Sequence, residues 1–358
     1  MKIVFFIGSM QRGGAERVIS ILANEYSKKG WSVEIALLLN TVVAYELDEK
    51  INVVDLTAGE GGYAKNAVAW LRKIRNHLKK TRPDRVVSFV GRINALVLTA
   101  AIGLRLPIIV SERNDPKHDG RGRAMQIYCN FIYKGAKDIV YQNQYEKSCF
   151  SRALNRIGHV IPNPVSVSTV HDGKKFGRTI ATAGRLMDQK NHAMLIDAVS
   201  VVSKEYPDIK CEIYGEGVLR DDLQNRIESH GLAGKVSLQG NVSNIHERLK
   251  ECGIFVMTSE FEGLSNALVE AMMMGLPCIT TDYPGVDELI RDGENGIIIP
   301  RRDVDGLVRA ISRLIRDEDG IRGRIATQAQ KDAEQFSADR VLKKWHQVID
   351  GKESNQCQ

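Results

Sequence analysis

Two carboxylates stand eight residues apart in the run Ser259-Glu260-Phe261-Glu262-Gly263-Leu264-Ser265-Asn266-Ala267-Leu268-Val269-Glu270-Ala271-Met272. The run follows an apolar stretch, Ile254 to Met257, that reads as a buried strand, and Asn266 to Met274 reads as a helix. Glu262 therefore sits in a loop after a strand and Glu270 on the helix that follows. Gly263, Leu264 and Ser265 leave free backbone N–H groups at that helix N-terminus, where a phosphate is well received. A second post-strand loop holds Gly184-Arg185-Leu186, with Lys190 five residues after Arg185. A planar guanidinium fork and a compact ammonium on one loop suit a diphosphate. Gly215 and Gly240 close the next two strands, and alone each is ordinary turn chemistry.

Near the start, Gly13-Gly14 follows the strand Lys2–Ile7 and opens a helix. Glycines there allow a backbone to approach a ligand closely. The spacing Gly8-x4-Gly13 lacks the Lys-Ser/Thr of a P-loop, and no G-x-G-x-x-G is present, although Glu34 lies where a ribose-binding acid would stand.

These loops need strands and helices to hold them. The first half alternates the two. Strands are expected at Lys2–Ile7, Ser32–Leu39, Ile51–Leu56, Arg85–Val90, Pro107–Val110 and Ile139–Tyr141. Helices are expected at Ala15–Lys28, Asn66–Lys80 and Ala95–Leu104. Ile161-Pro162-Asn163-Pro164-Val165 then interrupts any regular element. The alternation restarts with strands at Thr179–Ala183, Lys210–Tyr214, Val236–Leu238, Ile254–Met257 and Pro277–Thr280. The helices between them are His192–Glu205, Arg220–His230 and Asn266–Met274, and the remainder is helical from Val304. Repeated strand–helix–strand units make parallel sheets covered on both faces. The expected fold is α/β, with two doubly wound Rossmann-like domains facing across a cleft. The expected domains are residues 1–165 and 166–335, with a C-terminal helix at 336–358 packing back toward the first. In such sheets ligands bind beyond the carboxyl ends of the strands.

Composition narrows the classes. The chain has 358 residues, enough for two domains, and 26% charged residues, too ordinary for bulk disorder. Its longest apolar run, Ala95 to Leu104, is half of what a bilayer-spanning helix needs, and Met1–Met10 lacks the pattern of a secretory leader. The six cysteines (129, 149, 211, 252, 278, 357) are scattered without metal spacing and read as small buried hydrophobes in a reducing compartment. Residues 1–160 carry 25 Lys+Arg and 14 Asp+Glu (+11), and residues 161–358 carry 25 and 30 (−5). The halves are suited to different partners.

Taken in order, Gly13-Gly14-Ala15-Glu16-Arg17, Ile161-Pro162-Asn163-Pro164, Gly184-Arg185-Leu186 with Gln189-Lys190-Asn191, the E-x7-E run and Asp292-Gly293-Glu294-Asn295-Gly296 resemble the retaining glycosyltransferases of family 4, which have the GT-B fold. The resemblance covers essentially the whole chain. It points more narrowly to bacterial enzymes that add N-acetylgalactosamine, N-acetylglucosamine or galactose to lipid-linked or surface polysaccharides.

That resemblance implies roles. Arg185 and Lys190 would hold the donor diphosphate, with Gly184, Gly215 and the N–H groups of Gly263, Leu264 and Ser265 beside it. Glu270 would accept hydrogen bonds from the ribose and Glu262 would contact the donor sugar. Gly13 and Gly14 would bring the acceptor domain close to the phosphates. The His that many members carry in the acceptor domain is missing. The corresponding loop reads Ser111-Glu112-Arg113-Asn114-Asp115, so Arg113 would occupy its neighbourhood, with His118 further along. The donor would be a UDP-sugar, and the acceptor a glycan, lipid-linked or not. No metal and no cofactor is expected, because Arg185, Lys190 and the helix N-terminus already balance the leaving diphosphate. No nucleic-acid partner is expected.

The segment Lys65 to Arg82 has seven Lys or Arg and no acid, with Ala67, Trp70, Leu71, Ile74 and Leu78 at helical spacing. It is expected to dock on an anionic membrane, placing the protein in the cytoplasm, peripheral on the inner face of the plasma membrane. Two rival functions fit the same architecture: a nucleotide-sugar epimerase and a non-catalytic carbohydrate- or nucleotide-binding module.

Overall fold

A computed structural model describes residues 1–11, 13–59, 63–171 and 176–351. The chain divides into two compact units: Met1–Pro164 together with the segment from Asp339 onward, and Val165–Ala338.

Among the described residues of the first unit, seven strands pair in parallel. They are β1 (Lys2–Ile7), β2 (Ser32–Leu37), β3 (Asn52–Asp55), β4 (Arg85–Phe89), β5 (Ile108–Ser111), β6 (Asp138–Tyr141) and β7 (Gly158–Val160), in the order β3-β2-β1-β4-β5-β6-β7. Their helices are α1 (Gly14–Lys28), α2 (Tyr63–Thr81), α3 (Gly91–Ala100), α4 (Arg123–Ile132), α5 (Gln144–Ser148) and α6 (Arg152–Asn155). The second unit has six parallel strands: β8 (Thr179–Ala183), β9 (Lys210–Tyr214), β10 (Val236–Gly240), β11 (Ile254–Met257), β12 (Cys278–Thr281) and β13 (Ile297–Ile299), in the order β10-β9-β8-β11-β12-β13. Its helices among the described residues are α7 (His192–Glu205), α8 (Arg220–Ser229), α9 (Ile245–Lys250), α10 (Asn266–Met273), α11 (Val304–Arg316) and α12 (Ile321–Ala333), and α13 (Ala338–Asp350) is the last helix described.

Each sheet winds outward one way for three strands and then the other way. The order reverses between β1 and β4 in the first unit and between β8 and β11 in the second. Two loops diverge there and leave a crevice at the carboxyl end of the sheet. Gly13 and Gly14 follow β1, Arg185 and Lys190 follow β8, and Glu262 follows β11. The glycine and charge patterns thus fall at the reversal points of both sheets.

Strands buried on both faces read as unbroken apolar runs, and Ile3 to Ile7 are all buried. Helix α13 belongs with the first unit because Val341, Trp345 and Ile349 recur on one face and are all buried. The Trp345 ring stacks on Phe89 with centroids 5.8 Å apart, Arg85 Nε donates to the Ile349 carbonyl (2.6 Å), and the Tyr26 hydroxyl bonds Asp350 Oδ1 (3.1 Å). Before α13, Val165 pairs with Ser337 and exchanges backbone hydrogen bonds with Phe336 and Ala338, so residues 336–338 stay with the second unit.

The apolar stripe of α2 does not face solvent. Trp70, Ile74 and Leu78 are buried in the core under their own sheet, and Trp70 Nε1 donates to the Leu38 carbonyl (2.9 Å). A helix crossing between β3 and β4 must cover that sheet, so the greasy stripe of this helix is not available to a membrane. Four described cysteines are buried, Cys149 is half-buried, and all five are free thiols; Cys357 and residues 352–356 and 358 of the expected C-terminal segment lie outside the described residues.

Trp345→Ala removes a stacked, fully buried ring. It should destabilise the first unit by about 3–5 kcal/mol, read as a lowered denaturation midpoint by tryptophan-independent far-UV CD. An unchanged midpoint would mean that α13 is only loosely attached.

Candidate functional site

Three strand ends of the second unit position the charged residues singled out in the sequence. β8, β9 and β10 end on glycines because their backbones almost touch. Gly184 N–H donates to the Tyr214 carbonyl (2.9 Å) and Gly215 N–H to the Gly240 carbonyl (2.8 Å). Gly215 has φ +135°, and a Cβ there would lie 2.0 Å from the Gly184 oxygen. A Cβ on Gly217 would lie 2.3 Å from the Leu186 oxygen. No side chain fits at either position, so these glycines press the loop Gly184–Lys190 into its path across the strand ends.

From that loop Lys190 Nζ reaches Glu262 Oε1 at 2.6 Å, with both side chains largely buried. Ser259 Oγ donates to the same oxygen (2.6 Å), and Thr281 Oγ1 holds the Ser259 carbonyl from β12 (2.5 Å). The two loops are laced further. Glu260 N–H donates to the Gln189 carbonyl (2.8 Å), Gln189 Nε2 to the Phe261 carbonyl (2.8 Å), Asn191 Nδ2 to Glu260 Oε1 (2.9 Å), and Thr258 Oγ1 to the Lys190 and Asn191 carbonyls. The structure thus joins Lys190 and Glu262 directly, while Arg185 stands exposed on the same loop.

Ser265 caps α10: its hydroxyl accepts from Leu268 N–H (3.4 Å) and donates to Met257 Sδ (2.9 Å). Leu264 is buried and anchors the loop, and Gly263 is half-buried. Glu270 lies just over one turn into α10, partly buried. Its Oε2 is 3.7 Å from His246 Nε2 of α9. Ser168 N–H donates to the other ring nitrogen, Nδ1 (3.2 Å), so in the neutral ring the proton sits on Nε2 and faces the carboxylate.

Gly13, Gly14 and Arg113 belong to the first unit. The Tyr45 hydroxyl accepts from Gly13 N–H (3.1 Å) and donates to its carbonyl (2.8 Å), which fixes the turn into α1. Arg113 is buried. Its Nε donates to Ser111 Oγ (2.7 Å) and its Nη1 to Asn163 Oδ1 (2.8 Å), and its guanidinium lies 5.2 Å from the Trp345 ring centroid. Burial holds its pKa down to about 10, so it stays charged at neutral pH. The geometry makes Arg113 a tie between the loop after β5, the Pro162–Pro164 segment and α13. The exposed ring of His118 hydrogen-bonds the buried Asp115 carboxylate (2.6 Å).

Two histidines of the second unit carry no motif in the sequence and appear only in the fold: His246, beside Glu270, and His192. His192 is the first residue of α7, buried against the backbone of Gly184 and Arg185, and burial pushes its pKa down to about 4, with Lys190 adding to the effect. Among the described residues no cluster of three or more His, Cys, Asp or Glu is placed to hold a metal ion, and no helix is long and apolar enough to cross a membrane.

A family model described as glycosyl transferases group 1 matches residues 170–332, and one described as a glycosyl transferase 4-like domain matches residues 13–165. In fold, the chain aligns with Anabaena HepE, solved in complex with UDP, at TM-score 0.82 and 19% identity, covering 98% of this chain and 100% of that one. The protein is a glycosyltransferase with two Rossmann-like domains of the GT-B type. Within that class the chain belongs to the GT4-like glycosyltransferases. It is 25% identical to a Campylobacter jejuni alpha-1,4-N-acetyl-D-galactosaminyltransferase named for a GalNAc-containing diNAcBac-PP-undecaprenol substrate, covering 98% of both chains. It is 26% identical to a second Campylobacter jejuni enzyme, a diphospho-undecaprenol 4-alpha-N-acetylgalactosaminyltransferase, covering 96% of this chain and 97% of that one.

The buried His192 gives a pH prediction. A ring that stays neutral when folded but protonates near 6.5 when unfolded costs the second unit stability as pH falls through 6.5 toward 4. The loss should approach about 3 kcal/mol at the lower end. In His192→Phe that part of the slope should disappear, as read by denaturant midpoints from pH 4 to 7. An identical slope in both proteins would mean that His192 is not the responsible group.

Proposed function

We propose that this glycosyltransferase moves a hexose or N-acetylhexosamine from a UDP-sugar to a hydroxyl of a glycan acceptor, lipid-linked or part of a surface polysaccharide, with the α configuration retained. The observation that carries the reading is the joining of Lys190 and Glu262, beside Arg185 and the α10 N-terminus, at the strand reversal of the second sheet. The names of the Campylobacter jejuni relatives and the UDP complex of HepE support the acceptor and donor classes.

In this reading the donor diphosphate lies on Arg185, Lys190 and the N–H groups of Gly263 to Ser265. Lys190 turns from Glu262 toward the phosphate, and Glu262 becomes free to accept a sugar hydroxyl. Glu270, steadied by His246, accepts the ribose hydroxyls. The C1–O bond to the β-phosphate breaks as the acceptor oxygen bonds C1 on the same face. The acceptor proton passes to the departing phosphate oxygen, so no protein base is consumed. The chief contribution of the protein is fixed positive charge on the leaving group. Arg185 and Lys190 supply it without a metal, so turnover should survive EDTA.

Release of nucleoside diphosphate, screened over UDP-sugars with a panel of lipid-linked acceptors, tests the activity. The anomeric configuration of the product, read by NMR, tests retention. Turnover of UDP-sugar to its epimer with no acceptor present would refute the transferase reading in favour of an epimerase. Arg185→Ala and Lys190→Ala should each raise the barrier in kcat/KM by roughly 2–4 kcal/mol, and Arg185→Lys should remain impaired because a point charge does not replace a fork. Near-normal kcat/KM in either Ala variant would overturn the diphosphate assignment.

Glu270→Gln should chiefly weaken UDP binding in calorimetric titration, whereas Glu262→Gln should chiefly lower kcat. Equal loss of UDP affinity in both would contradict this division of labour.

A further inference from the structure

Helices α2, α3 and α4 cover the same face of the first sheet, and the outer surface they present is one-sided in charge. Their residue ranges contain no Asp or Glu at all. Arg72 and Lys79 on α2, Arg123 on α4 and Lys134 just beyond it are exposed, and none has an ion-pair partner among the described residues. The same surface carries apolar side chains that should be inside a protein: Ile127 at 71% exposure and Phe131 at 68% on α4, Ile102 at 61% after α3, and Val68 at 59% on α2. Ile127 and Phe131 are four apart and share a face, while Cys129 and Ile132 of the same helix are buried in the core. The helices are fastened to each other at this surface. Tyr128 on α4 bonds Thr99 on α3 (2.5 Å), and Arg75 on α2 donates to the Ile102 carbonyl (2.9 Å).

We propose that the outer face of α4, with the Ile102 corner of α3, is the surface by which this protein docks on an anionic lipid bilayer. Ile127 and Phe131 enter the headgroup region and the surrounding cations meet lipid phosphates. Charge complementarity selects this occupant. Protruding apolar side chains accompanied by cations, on helices that carry no carboxylate to repel lipid phosphate, have the composition of an interfacial membrane surface. This differs from docking by α2, whose apolar stripe is already spent on the core and which adds cations and the single exposed Val68. Docking here would deliver the first unit to a lipid-borne acceptor. That consequence rests on the function proposed above, but the docking itself does not require it.

The experiment is co-sedimentation of the full chain with phosphatidylcholine vesicles, with and without phosphatidylglycerol, at low and high salt. Wild type should bind the phosphatidylglycerol vesicles, and salt should weaken binding. Ile127→Ser combined with Phe131→Ser, both at solvent-exposed positions, should lower partition by about tenfold or more at either salt. Arg123→Glu combined with Lys134→Glu should lower it by a similar factor at low salt and less at high salt. CD spectra confirm folding of each variant, and UDP titration reads the donor site separately. Vesicle binding without UDP binding would leave this surface standing and defeat the donor assignment.

Three outcomes overturn the proposal: no binding to either vesicle, equal binding to both, or binding that neither double variant reduces. So does light scattering that shows a wild-type oligomer dispersed by Ile127→Ser with Phe131→Ser in the absence of lipid, which would make the face a contact between copies of this chain.

Discussion

The ion pair between Lys190 and Glu262 is the interaction on which the second unit's site depends. It joins the loop after β8 to the loop after β11 across the point where strand order reverses. A largely buried pair is costly to desolvate and seldom the best way to stabilise a fold, and removing one partner strands the other charge. Its presence here makes sense if the pair is exchangeable. Ser259, itself held by Thr281, also donates to the carboxylate and would keep it satisfied if the ammonium turned away. The backbone around the pair is rigid, set by glycines that meet carbonyl oxygens where no Cβ fits and by the side-chain lacing of Gln189, Asn191 and Thr258. In the function proposed above, that frame would present Lys190 to a leaving diphosphate.

Much of the fold was legible because strands buried on both faces leave unbroken apolar runs. Lys2–Ile7, Thr179–Ala183, Lys210–Tyr214 and Ile254–Met257 have the limits that the sequence suggests. The elements that escaped notice lack such a signal. β7 is three residues at a sheet edge, and α9 is six residues with a single buried side chain, Leu249. β13 is a short Ile-Ile-Ile run beyond a turn. Helix α4 escaped for a more informative reason. Its ten residues are as amphipathic as those of α2, but apolar side chains stand on the exposed side (Ile127, Phe131) as well as the buried one (Cys129, Ile132), so the pattern does not mark which side packs inward. In α2 the opposite happened: periodicity found the helix correctly but could not say whether its stripe met lipid or its own sheet.

The site divides in the same way. Loops that carry paired charges or punctuating glycines were visible as patterns because the chemistry demands those residue types at those places. His192 and His246 were invisible, since nothing in a single sequence brings α7 against Gly184 or α9 against α10. Arg113 was visible as a cation on the right loop. Its burial against Ser111, Asn163 and Trp345 depends on the Pro162–Pro164 segment and on α13, which lie 50 and more than 200 residues further along.

We have proposed that the second unit holds a nucleotide sugar by its diphosphate on Arg185 and Lys190. The most direct measurement is a crystal structure of the protein with UDP bound. Phosphate oxygens should lie within hydrogen-bonding distance of both cations, with the ribose hydroxyls on Glu270 and Lys190 drawn off Glu262. A diphosphate that contacts neither cation, with the Lys190–Glu262 pair intact beside it, would rule out this mode of donor binding.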